Sequence, residues 1–209
     1  MFSSIQFLLH PIVLDEFLAK HYGKRALHIL GTSEKFKHLF NWDSLNAVLN
    51  SSPQPHPTVK MSHEGKQFKP KDAIDLIQAA RKGATLILEN IDRYDLVLGD
   101  FLNQLSEEMN EQTRFNLYLS HPDNQGYNIH YDTHDFLILQ IEGYKEWWIF
   151  PETISSVLFK QKTHGTKPPP KESLYLNCTL GPGDVLYVPR GHLHYALSRK
   201  ESSVHLTLA

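Results

Sequence analysis

Two apolar, β-rich runs, residues 136–141 and 145–150, stand on either side of Glu142-Gly143 and constrain the fold more than any other stretch of the chain. Runs of this kind joined by a short Gly-containing gap predict a β-hairpin. The surrounding sequence has the same texture. Residues 114–120 alternate between apolar and polar, and His121-Pro122-Asp123-Asn124-Gln125-Gly126 is a turn cluster. Further short runs cover 174–180, 185–188 and 204–208, with Gly181-Pro182-Gly183-Asp184 turning the chain between the first two. Strands at this density, punctuated by Gly and Pro, predict a β-sandwich or small barrel.

The first half reads differently. Val13, Phe17, Leu18 and Tyr22 recur at helical spacing, and a short apolar run over 27–30 closes at Gly31. Asn41 offers an N-cap for a helix through Leu45, Val48 and Leu49, and the proline-rich stretch 51–57 is a loop. Residues 71–82 predict an amphipathic helix carrying Ile74, Leu76, Ile77 and Ala80, which Gly83 ends. Residues 84–88 have the unbroken apolar character of a buried strand, and 95–110 form a helix with Leu96, Leu98, Phe101, Leu102 and Leu105. The expected architecture is mainly β with a helical N-terminal part. Residues 1–112 form a mostly helical region that packs on the core and contributes strands to it, and 113–209 form the β core, within one compact domain.

Composition narrows the partners. A chain of 209 residues buries roughly 70% of its unfolded surface and needs no staples. A net charge of -2 gives no electrostatic reason to expect nucleic acid or an anionic membrane. Residues 1–9 are apolar but lack a basic leader, and no stretch approaches the ~20 apolar residues of a membrane span. The single cysteine, Cys178, excludes an intramolecular disulfide and points to a reducing cytoplasm. In its alternating run it reads as a small core residue. Sheet edges and N-terminal helices can each dimerise without leaving a signature in sequence.

The chemistry concentrates in Asn128-Ile129-His130-Tyr131-Asp132 and Gly191-His192-Leu193-His194. Side chains two apart on a strand share a face, so His130 and Asp132 can aim at one point, and a sheet folding back can bring His194 to it. Two imidazoles and one carboxylate are the ligand set of a non-haem Fe(II) oxygenase centre. With 13 histidines in the chain, proximity alone decides little. His134 falls on the same strand face as His130, and His192 on that of His194, so either competes as a ligand. Lys145 alternates with Trp147 and Ile149 toward one face. A cation there is costly unless paired, which makes an anionic ligand its expected partner.

These residues carry a resemblance. Asn116-Leu117-Tyr118-Leu119-Ser120, Gln125-Gly126, His130-Tyr131-Asp132, residues 136–147 and the segment from Gly183 to His194, which contains Pro189-Arg190-Gly191, occur in an order that closely resembles JmjC-type oxygenases of the ribosomal-oxygenase group, the cupin-4 proteins. The likeness extends from about Leu14 to Thr207. It implies a double-stranded β-helix (cupin, jelly roll) with His130, Asp132 and His194 as Fe(II) ligands and Lys145 on the distal carboxylate of 2-oxoglutarate. Asn116, Tyr118 and Thr207 would line the cosubstrate pocket. His205 matches a histidine near the site, and His134 and His192 become outer or substrate-facing groups.

The implied reaction consumes dioxygen and 2-oxoglutarate, releases succinate and carbon dioxide, and hydroxylates a C–H bond of a protein or peptide side chain or of a small molecule. Two departures bear on substrate. Larger relatives continue past the jelly roll into dimerisation helices and a winged-helix-like region, whereas this sequence stops at Ala209. The run after the ligand pair is Thr133-His134-Asp135 rather than acidic and aliphatic. Two other functions compete: a metal-binding cupin with isomerase or hydrolase chemistry, and a non-catalytic binding module. Lys145 discriminates against the first and the intact triad against the second. The polar stretch 160–173 reads either as the border of a substrate entrance or as a solvated connector.

Overall fold

Residues 3–50, 57–123, 126–152, 169–170 and 173–209 are described by the computed structural model. The chain begins with helices α1 (Ser4–Leu9) and α2 (Leu14–Lys20), then strand β1 (Leu27–Ile29) and helix α3 (Trp42–Asn50). A hairpin of β2 (Thr58–His63) and β3 (Lys66–Phe68) leads to helix α4 (Ala73–Arg81) and strand β4 (Thr85–Glu89). Helix α5 (Leu96–Met109) precedes β5 (Phe115–Ser120), β6 (Phe136–Glu142) and β7 (Lys145–Glu152). The chain closes with β8 (Leu176–Leu180), β9 (Val185–Val188), β10 (His192–Ser198) and β11 (Ser203–Leu208).

Local chemistry sets the boundaries. The Asn41 side chain accepts from the Asp43 and Ser44 amides at 2.8 and 3.1 Å, starting α3 as its N-cap position predicts. Asp95 caps α5 through the Leu98 amide, and Asn110 closes that helix in the left-handed conformation. Gly143 turns β6 into β7 at φ +64, where an added Cβ would lie 2.0 Å from the Ser202 carbonyl oxygen. Only glycine fits that turn.

The strands form two antiparallel sheets, one in the order β1-β9-β6-β11-β5-β4-β2-β3 and one in the order β10-β7-β8. Together they are the layers of a jelly roll, the double-stranded β-helix. Strands preceding residue 112 supply β1 and β2–β4 of the large sheet. In β6, Leu137, Leu139 and Ile141 pack toward a core shared with Ile5, Leu8 and Leu9 of α1 and with Leu98, Leu102 and Leu105 of α5. Its alternate residues, Phe136 and Ile138, join Trp147 and Ile149 of β7 in a second cluster. Both faces of β6 are therefore covered, which is why its sequence is almost unbroken in apolar residues.

The same alternation governs β5 and β11. Phe115 and Leu117, with Val204, Leu206 and Leu208, face the helices. Tyr118, His205 and Thr207 are left on the side of the small sheet, where they line a cavity. Leu206 is fully buried on a strand paired on both edges. Its replacement by alanine is expected to lower the unfolding free energy by about 3 kcal/mol. Chemical denaturation checks this, and a loss below about 1 kcal/mol would show that Leu206 is not part of a close-packed core.

Three features depart from the sequence expectations. The hairpin β2–β3 was not expected, because its strands are polar and its Glu64-Gly65 turn lacks the usual Asn or Asp, although both residues take positive φ. Helix α4 buries Ala79 and partly Leu76 and Ala80, while Ile74 and Ile77 are exposed. The segment carrying His130 and Asp132, read at strand spacing, contributes only a single-residue bridge at His130. The loop expected over 160–173 lies outside the described residues apart from Pro169, Pro170 and Ser173.

Candidate metal centre

The site is assembled by backbone pairing rather than by a continuous strand. His130 and His194 exchange two main-chain hydrogen bonds of 3.1 and 2.7 Å, so β10 carries one imidazole directly against the other. The Gly191 amide donates to the Asp132 carbonyl at 2.9 Å and holds the next residues of the segment in place. Tyr131 is buried in a separate cluster with Phe150 and Leu193, whereas its neighbours His130 and Asp132 line the cavity. Extended alternation thus survives without a ladder.

The donor atoms converge. Asp132 Oδ2 lies 4.0 Å from His130 Nε2 and 3.6 Å from His194 Nε2, and one ligand atom from each residue falls within 4.8 Å of the others. His130 Nδ1 lies 2.8 Å from the Asn128 carbonyl, and His194 Nδ1 lies 3.0 Å from that of His192. A carbonyl can only accept, so each ring donates from Nδ1 and leaves the Nε2 lone pair facing the cavity. Burial pushes His194 down to about 4, with His130 adding to the effect and Asp132 opposing it. The ring is therefore neutral at neutral pH, as a metal ligand must be.

Lys145 opens β7 opposite Ser198 of β10 and Leu180 of β8. It is only 6% exposed, and its Nζ donates to Ser120 Oγ at 2.8 Å. Thr85 Oγ1 donates to the same Ser120 oxygen at 3.3 Å. Among the described residues no carboxylate reaches ion-pair distance of Lys145, and burial pushes its pKa down to about 7. Lys145 and the triad line one cavity of about 190 Å³.

Other expected site residues divide. Tyr118 and Thr207 line the cavity, as does His205. Asn116 is not among the cavity-lining residues: its side-chain oxygen accepts from the Asn90 amide at 3.0 Å, which ties β5 to the turn that follows β4. His134, which the resemblance leaves outside the ligand set, lies apart from the triad. The chain bends at Thr133-His134, which places His134 in a second cavity with Tyr187 and Arg190. A register shift between His192 and His194 separates those two rings, and His192 packs edge-on against Tyr175, at 5.9 Å between centroids.

Sequence reasoning missed Ser120, Thr85, Tyr127 and Gln67. Ser120 extends the alternation Asn116, Tyr118, Ser120 and was legible from it. Gln67 lines the cavity from the unexpected β3 and donates to the Tyr127 hydroxyl at 2.9 Å. It had no comparable signal.

Curated relatives are similar over nearly the whole chain. The "Bifunctional lysine-specific demethylase and histidyl-hydroxylase NO66" of Dictyostelium discoideum is 25% identical, covering 97% of this chain and 41% of its own. "Ribosomal oxygenase 1" of Gallus gallus is 26% identical, covering 98% and 36% respectively. The chain thus spans less than half the length of these relatives. Among solved structures, Escherichia coli ribosomal oxygenase YcfD has a TM-score of 0.65 at 17% identity, covering 94% of this chain and 50% of that one. The same protein in complex with cobalt and 2-oxoglutarate gives 0.64, covering 94% and 51%. At such identity these structures attest the fold. The sequence pattern of the JmjC domain matches residues 97–209, more than half of the chain and all three residues of the cluster. The chain therefore belongs to the JmjC domain family.

Proposed function

We propose that this chain is an Fe(II)- and 2-oxoglutarate-dependent dioxygenase that hydroxylates a C–H bond, with a protein or peptide side chain as the favoured substrate and a small molecule as the alternative. The observation that carries this reading is Lys145: a buried cation that meets no carboxylate among the described residues and lines the same cavity as the His-Asp-His cluster. A metal centre of hydrolase type has no need of a cation placed for 2-oxoglutarate. A dicarboxylate cosubstrate does. The names of the curated relatives, a demethylase and histidyl-hydroxylase among them, favour a protein substrate.

The donor set fits the implied metal. Both imidazoles hold Nδ1 against a backbone carbonyl and turn Nε2 toward the cavity, and one carboxylate supplies charge, leaving further coordination positions open. His130, Asp132 and His194 would hold Fe(II), which supplies dioxygen activation when bound. Lys145 would hold the far carboxylate of 2-oxoglutarate by a charge-assisted hydrogen bond, with Tyr118 and Thr207 beside it. Phe136, Ile138 and Trp147 furnish an apolar wall that excludes water from the reacting groups. We further propose that 1–112 and 113–209 act as one unit. A reducing cytoplasm suits the free Cys178, and among the described residues no helix is long and apolar enough to cross a membrane.

A pH dependence follows from Lys145. In the ligand-free protein it titrates at about 7, and a bound carboxylate raises that value. Above pH 7 binding must therefore bring a proton with it. Affinity for 2-oxoglutarate is expected to fall as pH rises from 7 to 9, by up to about tenfold per pH unit. Below 7 the ammonium is already formed and contributes no dependence. Calorimetric titration across this range checks the slope, and constant affinity would remove Lys145 from the binding step. Succinate release that requires both Fe(II) and dioxygen tests the activity itself; release that persists with Zn(II) in place of iron contradicts it.

A further inference from the structure

Resting on the oxygenase reading, we propose that His205 is a second cosubstrate-binding residue, whose Nε2–H donates to the distal carboxylate that Lys145 binds. The ring is held in place from two sides. It stacks on Tyr118 with centroids 4.9 Å apart and planes 3° from parallel, and it meets the Trp147 ring edge-on at 5.8 Å. At 2% exposure it has little freedom to turn.

The two nitrogens have different surroundings. Nδ1 is buried and has no hydrogen-bond partner among the described residues. A proton on Nδ1 would be a stranded donor, and an unpaired buried N–H is costlier than an unpaired lone pair. The proton therefore sits on Nε2. That atom also meets no acceptor from the described protein, yet the ring lines the cavity that Lys145 and the triad share. Burial, reinforced by the Lys145 charge, holds the imidazole neutral, so it acts as an uncharged donor beside a cation.

The His205 donor, which has no acceptor among the described residues, and the Lys145 ammonium, whose hydrogen bond to Ser120 Oγ leaves two further N–H groups, line one cavity and together define an anion site. A carboxylate fits it, because its two oxygens offer about four lone-pair positions and one ammonium leaves most of them free. The class of ligand is a 2-oxo acid with a second carboxylate. The prediction is discrimination between ligands rather than a general loss of binding.

The test compares 2-oxoglutarate with 2-oxobutyrate, which has the same oxo-acid head and no distal carboxylate, by calorimetry on Co(II)-loaded protein. His205→Phe keeps the stacked ring and removes the donor. It is expected to weaken 2-oxoglutarate about tenfold or more while leaving Co(II) and 2-oxobutyrate affinities within about twofold. Unchanged 2-oxoglutarate affinity, or an equal loss for both oxo acids, would overturn the proposal. Lys145→Met measured in parallel separates the two levels: if it too binds 2-oxoglutarate like the wild type, the oxygenase reading itself fails. The wild-type protein offers an independent check. Loaded with diamagnetic Zn(II), it should show His205 as the Nε2-protonated tautomer by nitrogen NMR, with that N–H resonance moving on addition of 2-oxoglutarate and not of 2-oxobutyrate. An Nδ1-protonated ring, or a resonance that stays still, would refute the assignment.

Discussion

Replacing Asp132 by alanine is expected to weaken Fe(II) binding by about 100-fold or more and to abolish turnover. The metal-free fold should be nearly unchanged, with a melting temperature within about 2 °C of the wild type. The two halves of this expectation come from different atoms of one residue. The Asp132 carboxylate is about a third exposed and faces two imidazoles, so its removal strands no buried partner. The main-chain carbonyl, which accepts from Gly191, is retained in the variant. Metal titration and thermal denaturation of the same preparation check both halves. A variant that keeps wild-type activity would remove Asp132 from the centre.

The second large effect is at Lys145. Methionine there is expected to reduce 2-oxoglutarate affinity by roughly 10- to 100-fold, the scale of a hydrogen bond to a charged group. The same change should leave the metal-free protein as stable as the wild type or more so. The sign follows from linkage. Lys145 titrates near 7 in the fold against 10.5 when unfolded, so the unfolded chain binds the extra proton between those values. The charged lysine thus penalises folding as pH falls below 10.5, fully so below about 7. Lys145→Met removes that penalty, and its advantage in melting temperature should be larger at pH 6.5 than at pH 10. A variant that is destabilised at pH 6.5 and binds 2-oxoglutarate normally would contradict the role given to this residue.

The sequence made the hairpin of β6 and β7 legible, because β-branched and aromatic residues on either side of a Gly turn permit few other arrangements. It also announced α5, whose Asp95 cap and leucine spacing agree with one another. The triad was visible as a set of residue types but not as a geometry. What brings His130 to His194 is a lone backbone bridge, and no local periodicity encodes a contact between segments so far apart. The same gap explains His134. Counting by twos places it with His130 and Asp132, and only the bend at Thr133-His134 shows that it leaves for another cavity. Asn116 keeps its strand face but not its role, since the nearby Asn90 amide captures its side chain. Gln67 was beyond reach, because β3 is three exposed residues with no apolar pattern.

The central claim is that one cavity binds Fe(II) through His130, Asp132 and His194 and 2-oxoglutarate beside it through Lys145. The most direct measurement is an anaerobic titration of metal-free protein with Fe(II) and then 2-oxoglutarate, following visible absorbance. The account predicts a metal-to-ligand charge-transfer band that requires both additions and is lost in Asp132→Ala. Absence of the band, with the protein instead retaining Zn(II) tightly and indifferent to 2-oxoglutarate, would contradict it.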